Sequence, residues 1–369
     1  MSVGRAVELG RVGVLGTGLM GTSVAMAAAR AGASVVGWDA DGDAAARAAT
    51  VAGLAPASSA EEAVSHADLV VVCTPIPTIA PLVTVALRAA PAAIVTEVGS
   101  ITGPVARAVA AEADPADLAR FVPGHPMGGS ERSGPEHASP SLLDGIVWVL
   151  SPGEHSSPPV VEALERWIGA LGARPVRIDA DRHDRLVAIV SHLPQVASTA
   201  LMDLAATEEA GEPEILLLAA GGFRDLTRLA SSDPRLWSSI LLANREQIAS
   251  AIDLYLDRLR ILREDVVAGR GDAVGSTFAR AKEARLRLAA KPQVRAGVAV
   301  LRVEVPDRPG ALAGLTAVLA EGDVNIEDLQ IVHSPEGGRG TVHLTVAAGA
   351  AEEAAGVLAS AGFDPARVA

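Results

Sequence analysis

The 369-residue chain has one cysteine, Cys73, and only two lysines, Lys282 and Lys291. A lone thiol excludes a disulfide framework within the chain. It fits a reducing, cytoplasmic setting, with Cys73 as a residue of a core strand. Basic charge is also short. The formal net charge is -13, and no basic stripe is available to neutralise phosphates, which argues against a nucleic-acid partner. The first ten residues show no basic stretch followed by an apolar one, so no signal peptide is expected. No apolar run is long enough to cross a bilayer without charge or proline, and no membrane association is expected. What the chain does have is apolar mass: 49% of it is hydrophobic, enough for sizeable cores. At roughly 150 residues per domain, its length implies two or three of them.

The first part alternates short apolar runs with helix-length segments. Val12–Leu15, Ser34–Trp38, Asp68–Cys73, Ala93–Thr96 and Ile146–Leu150 read as strands. Runs this apolar are usually buried on both faces, which predicts a parallel sheet covered by helices on each side, over residues 1–179. Residues 180–290 show no good strand. Apolar residues recur there at helical spacing, as in Ile248, Ile252, Tyr255, Leu256 and Leu259, and Ser232-Asp233-Pro234 reads as a cap with proline in the first turn. An all-α domain with such faces is a candidate dimer interface. Lys291-Pro292-Gln293 reads as a linker. Residues 297–369 then run strand, helix, strand, strand, helix, a small α+β domain of ferredoxin-like order.

Gly16-Thr17-Gly18-Leu19-Met20-Gly21 is a G-x-G-x-x-G sequence that follows one expected strand and opens one expected helix. Gly16 permits the tight turn, Gly18 lets the backbone approach a pyrophosphate, and Gly21 lets the helix pack close to the strand. The helix N-terminus supplies backbone N–H groups to the phosphates. Asp39 ends the second strand about 20 residues on, where a carboxylate accepts from ribose hydroxyls and repels a 2′-phosphate. The expected cofactor is therefore NAD. Thr74-Pro75 and Glu97-Val98-Gly99-Ser100 follow two further strands, at the carboxyl ends where ligands of open α/β sheets bind.

Gly124-His125-Pro126-Met127-Gly128-Gly129-Ser130-Glu131 follows the strand Phe121-Val122. A histidine in that place is a natural acid or base. Further on come Ser191-His192-Leu193-Pro194-Gln195, Gly221-Gly222-Phe223-Arg224-Asp225-Leu226-Thr227-Arg228, Ser232-Asp233-Pro234 and Trp237. As an ordered set these stretches resemble the signature of the prephenate and arogenate dehydrogenases of tyrosine biosynthesis. The resemblance implies NAD-dependent oxidative decarboxylation of a cyclohexadienol, with prephenate going to 4-hydroxyphenylpyruvate, in a homodimer. It implies that His125 takes the proton of the substrate's 4-hydroxyl, with Ser100 orienting that hydroxyl. It also implies that Arg228 holds a substrate carboxylate, that Trp237 walls the pocket, and that Ser130, Glu131, His192, Gln195 and Gly221 line it. A base must be neutral, so activity is expected to rise with pH through the pKa of His125. Some prephenate-specific members have a second histidine where this chain has Gln195, which leaves prephenate and arogenate both open.

His183 lies nine residues before His192. At 3.6 residues per turn that is half a turn out of phase, so the two are not expected to converge and no metal site is expected. Pro194 should bend this helix and free a nearby carbonyl. The C-terminal stretch Val305-Pro306-Asp307-Arg308-Pro309-Gly310-Ala311-Leu312, with Asp323-Val324-Asn325-Ile326, resembles an ACT domain. That implies an amino-acid effector, tyrosine, met by Asp307, Asn325 and the helix N-terminus beyond Gly310. The other possibility is a dimerisation module without a ligand. Two rival functions remain. A β-hydroxyacid dehydrogenase would use a lysine on the helical domain, where Lys282 alone stands without an Asn-x-x-x-Lys pattern. A non-catalytic sensor of NAD and tyrosine would lack a catalytic group, and the sequence supports no such loss.

Overall fold

The structure is a computed structural model and describes residues 10–128, 133–289, 298–306, 308–333 and 339–368. It divides into two compact units, residues 1–270 and 271–369.

The first unit opens with the alternation the sequence predicts. β1 (Arg11–Leu15), α1 (Leu19–Arg30), β2 (Ser34–Trp38), α2 (Gly42–Ala52), β3 (Ala55–Pro56), α3 (Ala60–Val64), β4 (Leu69–Val72), α4 (Ile76–Ala89), β5 (Ile94–Glu97), α5 (Gly103–Glu112), α6 (Pro115–Leu118) and β6 (Phe121–Val122) follow in turn. The six strands form one parallel sheet in the order β3-β2-β1-β4-β5-β6. Chain order reverses between β1 and β4, which makes the crevice beyond their carboxyl ends the natural ligand site. Both faces are covered. Val12, Val14, Leu69 and Val71 pack into one core, and Leu15, Val70, Val72 and Val95 into the other.

Ile146–Leu150 departs from expectation. It forms β8 (Val147–Leu150) outside the six-stranded sheet, with β7 (Gly124–Pro126) antiparallel on one side and β9 (Arg174–Arg177) parallel on the other, beyond α7 (Pro158–Ala170). Its apolar composition correctly signals burial. Trp148 is fully buried, edge-on to Trp167 of α7, in the same core that backs β1 and α1. Burial does not reveal which strand is the neighbour, and that is where the expectation failed.

The rest of this unit is helical: α8 (Ala180–Val187), α9 (Leu193–Glu208), α10 (Glu214–Leu217), α11 (Gly221–Thr227), a 3-10 turn (Arg228–Ser231), α12 (Pro234–Ala243) and α13 (Arg245–Val267). Asp233 caps α12 by accepting from the N–H groups of Arg235 and Leu236, as the sequence suggested. Residues Ala188–His192 form a π turn joining α8 to α9, directly before Pro194. A proline cannot donate to the carbonyl one turn back, and a widened turn is one way a helix absorbs that loss. The run Ala180–Glu208 is long and apolar enough to cross a membrane by length and composition. It also carries the buried polar residues His183, Asp184, His192 and Gln195, which hydrogen-bond within the protein. Leu217, Leu218, Leu226, Leu242 and Leu254 lie exposed on the helical layer.

In the second unit, α14 (Gly271–Ala289) precedes β10 (Val298–Pro306), α15 (Ala311–Glu321), β11 (Ile326–His333), β12 (Arg339–Ala347), α16 (Ala351–Ser360) and β13 (Pro365–Val368). The last four-residue strand was not expected. It pairs antiparallel with β10 and completes a sheet of order β11-β12-β10-β13. Leu301, Val303, Leu315, Leu319, Leu344 and Leu358 form its core. A cavity of about 590 Å³ is lined by Arg308, Gly310, Phe363 and Asp364, among others. Gly310 takes φ 88° at the start of α15, which favours glycine. Asn325 precedes β11 outside that lining, and Asp307 lies outside the described residues.

Candidate active site

The glycine-rich turn fits a dinucleotide, residue by residue. Gly16 has φ 94°, and a Cβ there would meet the Cys73 carbonyl at 2.7 Å. A Cβ on Gly21 would run into the carbonyl oxygen of Gly16, so the helix can sit this close only without one. Around Gly18 a Cβ would meet nothing within 4 Å. Two of the glycines are thus required by the protein's own packing, and the third faces open space at the start of α1, where a pyrophosphate is bound in such turns. Leu19 and Met20 form the first turn of α1. Asp39 accepts from the Thr17 N–H at 2.7 Å and hydroxyl at 3.3 Å, so it braces the turn from β2 while remaining partly exposed. Thr74 presents a buried hydroxyl without a partner among the described residues, and Pro75 starts α4. Burial drives the Cys73 thiol up, aided by Glu97, which keeps it protonated and inert.

His125 is not in a loop. It is the central residue of β7 and pairs with Val149 of β8. β7 begins beside the end of β5, where a Cβ on Gly124 would approach the Glu97 carbonyl at 3.0 Å. Ser100 follows β5 and is partly exposed. His125 Nδ1 lies 2.9 Å from His183 Nε2, and His183 Nδ1 lies 2.8 Å from Asp184 Oδ1. The two rings meet edge to face, with centroids 5.1 Å apart. Asp184 also accepts from the backbone N–H groups of Thr102 at 3.0 Å and Gly103 at 2.9 Å, at the start of α5. Burial alone would raise the Asp184 pKa. The hydrogen bonds from His183, Thr102 and Gly103 overcome it and hold the carboxyl below its ordinary value.

The sequence argument against convergence of His183 and His192 was wrong. His183 and His192 are both about 1% exposed, and the charge of each acts on His125. The π turn is the reason: it advances each residue by less than the 100° of an α-helix and removes roughly a quarter turn of the expected phase difference. Asn244, between α12 and α13, donates to the Asp184 carbonyl at 2.9 Å and lies 3.3 Å from His192 Nδ1. Trp237 stands edge-on to His192 at 6.1 Å. Among the described residues no cluster suited to a metal ion occurs.

Gln195 is buried and committed. Its amide donates to the Leu229 carbonyl at 2.8 Å, and its oxygen accepts from Ser232 at 3.4 Å. It therefore ties α9 to the turn that carries Arg228. The Arg228 side chain is exposed and forms no ion pair among the described residues. Gly221 is exposed at the start of α11. Ser130 and Glu131 lie outside the described residues. Three residues at the site were absent from the expected set: His183, Asp184 and Glu97. Asp184 had no visible signal, because its partners at Thr102 and Gly103 are some 80 positions away. Glu97 is fully buried, and burial holds its carboxyl well above the ordinary range, against hydrogen bonds from Gly99 and Gly124 and with help from Asp184.

Burial, and then the charges of His183 and His192 against the opposing Asp184, lowers the His125 pKa to about 3. Burial lowers that of His192 to about 4, with Asp184 opposing and His183 adding. The rise of activity expected from His125 titration is therefore displaced below the ordinary histidine range. Both groups bind protons more readily when unfolded, near pH 6.5, so their contribution to stability falls as pH drops below that value. Between pH 7 and pH 5 the two together should cost roughly 4 kcal/mol of unfolding free energy. Urea midpoints at the two pH values check this, and His192→Gln should remove about half of the difference. Equal midpoints for the unsubstituted protein would mean that these imidazoles titrate normally.

A 3-2-1-4-5-6 parallel sheet, a glycine turn at its switch point and an enclosed imidazole beside the strand ends define a nucleotide-dependent oxidoreductase of the Rossmann type. Comparison with known proteins narrows the class. Residues 24–177 match the model described as prephenate dehydrogenase, nucleotide-binding domain; residues 179–280 match its dimerization domain; and residues 299–362 match the ACT domain. A prephenate dehydrogenase of Bacillus subtilis is 32% identical over 228 residues, 61% of this chain and 61% of that protein's length. A cyclohexadienyl dehydrogenase of Zymomonas mobilis is 30% identical over 64% of this chain and 80% of its own length. The crystal structure of prephenate dehydrogenase from A. aeolicus, in complex with hydroxyphenyl propionate and NAD+, superposes with a TM-score of 0.72 at 26% identity, covering 77% of this chain and all of that one. The chain belongs to the prephenate dehydrogenase family.

Proposed function

We propose that the protein is an NAD-dependent prephenate dehydrogenase, producing 4-hydroxyphenylpyruvate. The observation that carries this is His125, whose Nδ1 is committed to His183 and whose Nε2 carries no hydrogen bond among the described residues. In this reading Nε2 accepts the proton of the substrate's ring hydroxyl as that carbon becomes a carbonyl, and returns it to the phenolate oxygen after carbon dioxide has left. Its low pKa keeps it unprotonated and ready at neutral pH. Gly16, Thr17, Gly18, Leu19, Met20 and Gly21, with Asp39, Thr74 and Pro75 beside them, would hold NAD, which would supply the hydride acceptor. Asp39 favours NAD over NADP through charge repulsion of a 2′-phosphate. Ser100 orients the hydroxyl. Arg228 offers a planar fork to a substrate carboxylate. Ser130, Glu131, His192, Gly221 and Trp237 complete the pocket. Gln195 acts there by holding the Arg228 turn to α9. The exposed leucines of the helical layer are where a second copy packs in a homodimer.

The decisive measurement is turnover of prephenate with NAD, followed at the nicotinamide absorbance. Paired runs with arogenate and with NADP complete it. Preference for arogenate would move the substrate assignment to that alternative, and no turnover of either would remove the function. In the same reading the second unit carries regulation by tyrosine, met by Asp307, Asn325 and the helix N-terminus beyond Gly310, which lines the cavity. A chain ending at Lys291 should keep turnover and lose any tyrosine response. A shortened chain still inhibited cooperatively would place the effector elsewhere.

A further inference from the structure

Three side chains in series, His125, His183 and Asp184, leave a single consistent arrangement of protons when the imidazoles are neutral. The Asp184 carboxylate only accepts, so His183 carries its proton on Nδ1. His183 Nε2 is then bare and accepts, so His125 must donate from Nδ1. The nitrogen left without a proton is His125 Nε2. We propose that His183 and Asp184 are positioning residues that lock His125 in the tautomer able to act as a base, with the Asp184 carboxylate favouring the imidazolium it becomes. The proposal rests on the function proposed above for its kinetic consequence, but not for the tautomer itself.

The surroundings support a built device. His183 and Asp184 are almost fully enclosed, and Asp184 is held by two backbone N–H groups at the first turn of α5, where a negative charge is favoured. Thr102 Oγ1 adds a contact 3.3 Å from His183 Nδ1. Asn244 Nδ2 donates to the Asp184 carbonyl at 2.9 Å. When Nε2 takes the substrate proton, His125 gains a positive charge. Its Nδ1–H already points along a hydrogen bond toward His183 and so to the negative carboxylate, and no group has to reorient. The charged or titratable groups that face the series are His192 on the π turn, Glu97 on β5, and Asp181 and Arg107, which pair at 2.8 Å beside Asp184. The other neutral tautomer of His125 would carry a proton on Nε2 and could not take another.

The test uses the full chain labelled with 15N-histidine, at pH 7 and without substrate. The expected result is a protonated Nδ1 and an unprotonated Nε2 on His125. Kinetics supply the second readout. His183→Leu should lower kcat about 100-fold while leaving the NAD Kd unchanged, because the wrong tautomer then competes. His183→Gln places an amide oxygen where Nε2 was and should recover at least about tenfold of that loss. A proton on His125 Nε2 in the unsubstituted protein overturns the proposal, as does a glutamine variant no faster than the leucine one. If the leucine variant does not fold, the spectra of the unsubstituted and glutamine proteins decide. Absence of turnover in the unsubstituted protein would remove the proposed function and leave the tautomer to the spectra.

Discussion

Replacing His125 with asparagine should lower kcat by about 100-fold or more, the usual scale for a positioned acid or base, with little change in NAD affinity. The effect should be large because nothing else described at the site stands ready to replace the lost nitrogen. His192 is buried with Nδ1 against Asn244, and His183 is turned toward Asp184. Asparagine can still donate from its amide to His183 Nε2, so the buried ring keeps a partner and the loss is catalytic rather than structural. The cofactor turn belongs to β1 and α1, on other elements, so NAD binding should survive. Stopped-flow turnover beside a fluorescence titration with NAD checks both parts. Turnover within a few-fold of normal would take His125 out of the mechanism.

Replacing Arg228 with alanine should raise the KM for prephenate by about 30-fold or more, the scale for removing one side of a hydrogen-bonded charge pair. The guanidinium has no ion pair to leave behind among the described residues, so folding should be little affected, and NAD affinity should hold. Gln195 is the residue that makes this position dependable, since its amide grips the Leu229 carbonyl next to Arg228. Steady-state KM and an NAD titration on the same variant test the prediction. An unchanged KM would mean that another cation receives the carboxylate.

The first three elements were legible because their signals are local. A glycine that must adopt φ 94° and another that must clear a carbonyl are needed at those spacings whatever lies elsewhere, and Asp39 falls where β2 ends. The helical layer was legible from its period, and the cap at Asp233 from its neighbours. β8 was found as a strand but assigned to the wrong sheet. β13, with Pro365 and Ala366 in four residues, carried too little apolar pattern to be seen.

By itself the sequence determined the glycine turn, the parallel core, the candidate base His125 and the family, because each of these depends on residues close together or on an ordered set of motifs. Only the tertiary structure decided that His183 stands behind His125 with Asp184 behind it, and that Gln195 serves the Arg228 turn. Helical phase counted from sequence assumes a regular helix, and one widened turn before Pro194 was enough to bring together groups that a regular helix would have held apart.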